Sequence, residues 1–350
     1  VRLLLIKTSS LGDVVHTLPA LSDALAARPD LRVDWVVEEA FAPIARRHPA
    51  VARVIPCALR RWRKHPWRAW RSGEWRAFRE QLKGSGADRV LDAQGLIKSA
   101  FIARLAPGPR HGLDARSARE PLSARVLDVA HAVPRGGHAI DRLRDLFAQA
   151  LDYPRPHTAP DYGLRPAARK GALAKGARLM FIHGTTWATK HWPESYWRVL
   201  AERAVAEGLR VELPWGNEAE RLRAERLAEG LIGVRVLPKL SLDELLVELL
   251  DCDGFVAVDT GIAHLAAAAG QPGVALYGPT SADLTGVLGA RARSLAAEFP
   301  CAPCLSRRCS YTGPRQPGVE PPCFGELPPA RVWEALRALS RGEAPPPAES

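Results

Sequence analysis

The chain has 350 residues, 47% of them hydrophobic and 25% charged, with a formal charge of +11. That length is more than one core usually fills, so two domains are expected, and the ordinary globular proportions exclude bulk disorder. No apolar run reaches the roughly 18 residues of a spanning helix, and residues 1 to 6 lead into a polar turn. Neither a membrane span nor a signal peptide is expected, which points to a cytoplasmic protein. The cation excess calls for an anionic partner: nucleic acid, phospholipid headgroups or a phosphorylated substrate. Ala-Arg runs along the whole chain dilute that signal.

The first element, over 2–7, is an apolar run broken by Arg2, suited to a buried parallel strand. Leu11, Val14, Val15, Leu18 and Leu21 then recur at helical spacing, predicting a helix over about 13–27. Gly12 permits the tight turn between them, and Asp13 falls where strand meets helix. In an open parallel sheet that edge is where ligands bind, so Asp13 is a candidate base, against the plainer reading of a helix cap. Strands at 31–37, 53–56 and 89–92 and helices at about 74–83, 96–105 and 138–150 continue the alternation. Arg60 to Arg71 has six Lys or Arg, three Trp and no acid, and reads as a basic-aromatic loop. Such interleaving suits single-stranded nucleic acid or a phosphorylated lipid equally, the plain alternative being a solvated loop.

Pro154, Pro156, Pro160 and Pro166 mark an interdomain linker over 153–176, closing a first domain of 1–152. A second strand-helix series follows over 177–328, with strands near 179–182, 209–213, 234–237, 254–258 and 273–276 and helices from Pro193 and over about 217–229, 241–250 and 261–269. A last helix is expected over 329–341 and a disordered tail over 342–350. Neither first strand carries G-x-G-x-x-G, which argues against NAD or FAD. Cys301, Cys304, Cys309 and Cys323 lie in a Pro-rich loop over 299–326. Four thiolates there leave open a structural Zn²⁺ or iron site, more plausible than disulfides in a reducing compartment. Cys57 and Cys252 read as buried thiols.

Three clusters carry a resemblance: Lys7-Thr8-Ser9-Ser10-Leu11-Gly12-Asp13, His183-Gly184-Thr185-Thr186 through Lys190-His191-Trp192-Pro193, and Asp259-Thr260-Gly261-Ile262-Ala263-His264. Together with Asp92-Ala93-Gln94-Gly95, Ala118-Arg119-Glu120-Pro121 and Tyr277-Gly278-Pro279-Thr280, the chain resembles the lipopolysaccharide heptosyltransferases of glycosyltransferase family 9, above all those that add the first heptose. The resemblance implies an α/β fold of the GT-B kind, two Rossmann-like doubly wound domains facing across a cleft. It implies an inverting transfer of L-glycero-D-manno-heptose from ADP-heptose to Kdo of Kdo-lipid A. The alternative is a related heptosyltransferase with another acceptor, the second core heptose or a protein. Partners would be ADP-heptose, Kdo-lipid A and the anionic inner face of the cytoplasmic membrane, touched peripherally, with no nucleic acid.

By the same resemblance Asp13 would be the catalytic base, and Lys190 would offset charge on the departing diphosphate. Thr185, Thr186, Asp259, Thr260, Gly261 and His264 would hold the donor, Glu220 its ribose and Leu240 its adenine. Ser10, Gly12, Arg60, Arg61, Arg63, Lys64 and Arg119 would hold the acceptor. The chemistry parallels an inverting glycosidase with the acceptor hydroxyl in place of water. A diphosphate already leaves readily, so cations and N–H donors can replace a general acid, and no cofactor is required for transfer.

Overall fold

The computed structural model of the protein describes residues 1–164 and 172–343. The chain divides into two compact units, Val1–Leu164 and Arg165–Ser350. Residues 165–171 of the expected linker and 344–350 of the expected tail lie outside the described residues.

The first unit runs β1 (Arg2–Ile6), α1 (Leu11–Ala27), β2 (Arg32–Glu38), α2 (Ala42–Arg46), β3 (Val51–Cys57), α3 (Leu59–Lys64), α4 (Pro66–Arg71), α5 (Glu74–Lys83), β4 (Arg89–Asp92), α6 (Ile97–Leu105), β5 (Arg110–Leu113), β6 (Val129–His131) and α7 (Ala139–Leu151). Its strands pair in parallel in the order β3-β2-β1-β4-β5-β6. The chain winds outward on one side of β1 and then returns to wind on the other. The switch point therefore lies between β1 and β4, where Ile6 pairs with Asp92. Leu3 to Ile6 are buried, as a strand covered on both faces requires.

Three features depart from the expected plan. The basic stretch is no loop but the two short helices α3 and α4. Strands β5 and β6 complete the sheet with segments too short and polar to announce themselves. Residues 153–164, expected in the linker, belong to the first unit: Tyr162 and Leu164 are buried. Arg144 of α7 binds that stretch, donating to Thr158 O at 2.9 Å and to the Asp23 carboxylate of α1 at 2.5 and 3.1 Å.

The second unit runs β7 (Arg178–Ile182), α8 (Glu194–Ala206), β8 (Arg210–Leu213), α9 (Glu218–Ala228), β9 (Val234–Val236), α10 (Leu242–Asp251), β10 (Gly254–Val258), α11 (Gly261–Ala268), β11 (Gly273–Tyr277), α12 (Ala282–Thr285), β12 (Ala292–Ala296) and α13 (Pro329–Arg341). The order β12-β11-β10-β7-β8-β9, again all parallel, repeats the winding of the first unit. Its switch point lies between β7 and β10, where Ile182 pairs with Ala257. Strand β12 was not foreseen. The final helix α13 belongs to this unit's core, where Val332, Trp333 and Leu336 join Trp192, Trp197 and Phe324.

Candidate active site

In the first unit the turn after β1 carries the candidate base. Ser10 lies just ahead of α1, and both its backbone N–H (2.7 Å) and its hydroxyl (2.8 Å) donate to Asp13 Oδ2. Asp13 Oδ1 lies 3.7 Å from Lys7 Nζ, and the side chain is 43% exposed beside an almost wholly buried ammonium. Lys7 Nζ also donates to Ala93 O at 3.0 Å. Asp13 therefore caps the helix through one oxygen and keeps the other near solvent. Capping and base are not rival readings here.

The Asp92-Ala93-Gln94-Gly95 turn holds this arrangement from across the switch point. Gln94 Oε1 accepts the N–H groups of Thr8 (3.0 Å) and Ser9 (3.2 Å), while its amide nitrogen donates to Ser9 O at 2.7 Å. Asp92 accepts from Gln94 N (2.9 Å), Gly95 N (3.2 Å) and Ser99 Oγ (2.9 Å), and burial pushes its carboxyl up to about 6. Lys98, on the first turn of α6, donates to Ser9 Oγ at 2.9 Å.

Beside this turn lies a cavity of about 510 Å³ lined by Ser9, Glu38, Arg60, Arg63, Trp70 and Lys98 among others. Of the expected acceptor residues it gathers Arg60 and Arg63, while Lys64 and Arg119 are exposed and outside its lining. Arg61 is differently employed: its guanidinium pairs with Glu39 (3.1 Å) and Glu74 (2.7 Å), leaving α3 tied to its neighbours. Gly12 is buried at the start of α1. Lys98 and Glu38 were missed in the sequence, since a lone Lys on a helix and a strand-end Glu carry no local signal. Burial raises the Glu38 carboxyl.

In the second unit every expected donor residue falls beyond the carboxyl end of a strand: Thr185, Thr186 and Lys190 after β7, Glu220 after β8, Leu240 after β9, and Asp259 to His264 after β10. Lys190 Nζ lies 2.6 Å from Asp259 Oδ2, with their side chains 15% and 8% exposed. Thr280, after β11, donates to the same Oδ2 at 2.7 Å, and Thr185 Oγ1 donates to Asp259 O at 3.0 Å. Three strand ends thus meet at one aspartate and one lysine. Thr260 occupies the cap position of α11 with Gly261 as first residue, and both are half-buried. Thr186 is exposed and Leu240 half-buried.

Glu220 sits in the first turn of α9, accepting Gly216 N at 2.8 Å. Gly184 lies directly against it: a Cβ there would come 2.7 Å from the carboxyl carbon, so a larger residue would displace the Glu220 side chain. His264, expected against the donor, is buried one turn into α11. His183 is fully buried, and desolvation holds its imidazole down at about 3, neutral at any physiological pH.

Two residues of the Cys-rich loop reach this region unannounced by the sequence. Ser306 O accepts from Thr189 Oγ1 at 2.7 Å, and the Arg307 guanidinium lies 5.1 Å from the Trp187 ring centroid. The four cysteines line one pocket of about 280 Å³ with Thr189 and Pro279. The sequence leaves a structural Zn²⁺ or iron site among them open. Among the described residues no three His, Cys, Asp or Glu side chains are disposed to hold an ion, and Cys323 is buried under the loop while the other three are exposed. Burial, with the neighbouring thiols of Cys301, Cys304 and Cys309, pushes the Cys323 thiol up to about 12.

The sequence profile of glycosyltransferase family 9 (heptosyltransferase) matches residues 75–314. The chain belongs to this family. Lipopolysaccharide heptosyltransferase 1 of Pseudomonas aeruginosa is 52% identical over 350 residues, covering 97% of this chain and 98% of that protein. Lipopolysaccharide heptosyltransferase 1 of Escherichia coli K12 is 47% identical, covering 82% of this chain and 91% of that protein. Among solved structures, E. coli heptosyltransferase WaaC with ADP has a TM-score of 0.80 at 45% identity, covering 85% of this chain and 93% of that one. The fold is the α/β two-domain GT-B architecture of these enzymes, and the protein is a glycosyltransferase of the heptosyltransferase family.

Proposed function

We propose that the protein transfers L-glycero-D-manno-heptose from ADP-heptose to a Kdo residue of Kdo-lipid A, with inversion, in assembly of the lipopolysaccharide inner core. The observation that carries this reading is Asp13. Its Oδ2 is held by two donors of Ser10, while Oδ1 lies 3.7 Å from the Lys7 ammonium. A carboxylate so oriented can take the proton of an acceptor hydroxyl as that oxygen attacks the anomeric carbon. Proton transfer late in an oxocarbenium-like transition state asks little basicity of it. The bond to the β-phosphate breaks, and the negative charge that develops on the leaving ADP falls to Lys190, Thr185 and the N–H groups of Thr260 and Gly261. No bound cation has a step in this scheme.

The similarity to heptosyltransferase 1 proteins of two organisms favours the first core heptose over the second. The acceptor reading draws on Arg60, Arg63 and the aromatic lining of their cavity, cations for sugar carboxylates and rings for sugar faces. Trp67 and Trp70, 76% and 68% exposed among the arginines of α4, suit the headgroup layer of an anionic membrane. No helix among the described residues is long and apolar enough to cross one, so contact there would be peripheral.

The test is Asp13→Ala assayed with ADP-heptose and Kdo-lipid A. Loss of a positioned general base should lower kcat by about 10² to 10⁴ while ADP affinity stays within about twofold. Activity within a few-fold of the parent would remove Asp13 from the role.

A further inference from the structure

Lys190 is the obvious cation for the diphosphate, yet its charge is already spent. Its ammonium lies 2.6 Å from Asp259, and both side chains are largely buried, so the pair presents little net charge. A nucleoside diphosphate brings at least two negative charges, and its departure as a leaving group adds more. The pair alone does not balance them.

We infer that Arg307 is the second cation facing the donor's diphosphate, a role that rests on the reading of this unit as the donor site. Arg307 lies on the same indole as Lys190: their charged groups stand 5.1 and 4.6 Å from the Trp187 ring centroid. The indole thereby holds the guanidinium close to the Lys190–Asp259 pair. Among the described residues no carboxylate pairs with Arg307, which is exposed. Its guanidinium can therefore bind phosphate oxygens in bidentate fashion without first breaking an ion pair.

The backbone around Arg307 is held to the donor turns from two directions. Ser306 O takes the Thr189 hydroxyl at 2.7 Å, one residue from Lys190. Leu305 N donates to Pro279 O at 2.8 Å, one residue from the Thr280 that binds Asp259. Leu305 itself sits at φ 52°, a left-handed conformation that a bulky side chain adopts only where its surroundings impose it. The loop is thus pinned where Arg307 meets Trp187, and the four cysteines line the pocket behind it.

The experiment is calorimetric titration of the full chain with ADP and with AMP, for the parent, Arg307→Ala and Arg307→Lys. Losing a charge-assisted contact to the β-phosphate should weaken ADP about tenfold in Arg307→Ala and leave AMP within about twofold, with Arg307→Lys in between. Unchanged ADP affinity, or an equal loss for ADP and AMP, would overturn the role, the second result marking a merely structural arginine. A parent protein that bound no ADP would overturn the donor-site reading and this inference with it. A parent that binds ADP beside an unaffected Arg307→Ala overturns this inference alone.

Discussion

Asp92 illustrates what a single residue contributes here without touching substrate. Its carboxylate is wholly enclosed and takes three hydrogen bonds from the turn that fixes Thr8 and Ser9 ahead of Asp13. Burial outweighs those bonds and the nearby Lys7, raising the carboxyl from 3.8 to about 6. Between those values the native group keeps a proton that the unfolded chain has lost. Its stabilising contribution is therefore complete below about pH 3.8 and declines until about pH 6. Asp92→Asn preserves the shape and removes the titration. The difference in unfolding free energy between parent and variant, measured by urea melts, should fall from pH 4 to pH 6 and be flat above. A constant difference would mean that Asp92 titrates alike in the folded and unfolded chain. The sequence made Asp13, Lys190 and Asp259 legible because each sits at a strand-to-helix junction in a distinctive string. It could not reveal Asp92 or Gln94 as supports, because their role exists only once β4 pairs with β1.

At the scale of elements, α3 and α4 show why pattern reading stops short. Each is six residues long, too short to persist alone, and Pro66 with dense positive charge conceals any helical period. What holds them is tertiary. Trp62 packs edge-on against Trp75 and Phe78 at 5.6 and 5.3 Å, and Trp75 stacks on Phe101 at 6.0 Å. Glu74 takes Arg61 at 2.7 Å and the Trp62 indole N–H at 2.8 Å, and those two partners hold its carboxyl down at about 2. The same contacts explain why Arg61 is a tie rather than an open ligand cation. Glu74→Gln should then loosen α3 and α4 around the basic cavity. The expected outcome in steady-state kinetics is an acceptor KM raised about three- to tenfold with ADP affinity unchanged, since a charge-assisted bond is lost and only part of its effect reaches the pocket. An unaltered acceptor KM would show that the two helices keep their place without this anchor. Strands β6 and β12 were illegible for a related reason: they lie at sheet edges, where pairing with one neighbour suffices and a long apolar run is unnecessary, while β5, paired on both sides, is only the four residues Arg110–Leu113.

Across the whole molecule the two units repeat one winding, and each places its chemistry at its own switch point. The repetition could be foreseen from two strand-helix series separated by a proline-rich stretch, whereas the extent of the first unit to Leu164 depends on contacts such as Arg144 with Thr158. This duplication has a thermodynamic consequence. All the side chains assigned to the donor, from Thr185 to His264, come from the second unit, as do Thr280 and Arg307. The residues assigned to the acceptor, from Ser10 to Arg119, come from the first. A ligand stabilises only the cooperative unit that binds it, by RT ln(1 + [L]/Kd). In hydrogen-exchange measurements on the full chain, ADP at about 100 times its Kd should slow subglobal opening of β7, β10 and β11 by about 2.7 kcal/mol. Amides of β1, β2 and β4 should exchange as before. Equal protection of both sheets would mean that the units unfold as one, and protection of the first alone would put the nucleotide in the wrong half. The same experiment on Arg63→Ala should return the parent pattern, because that cation belongs to a unit the nucleotide does not engage.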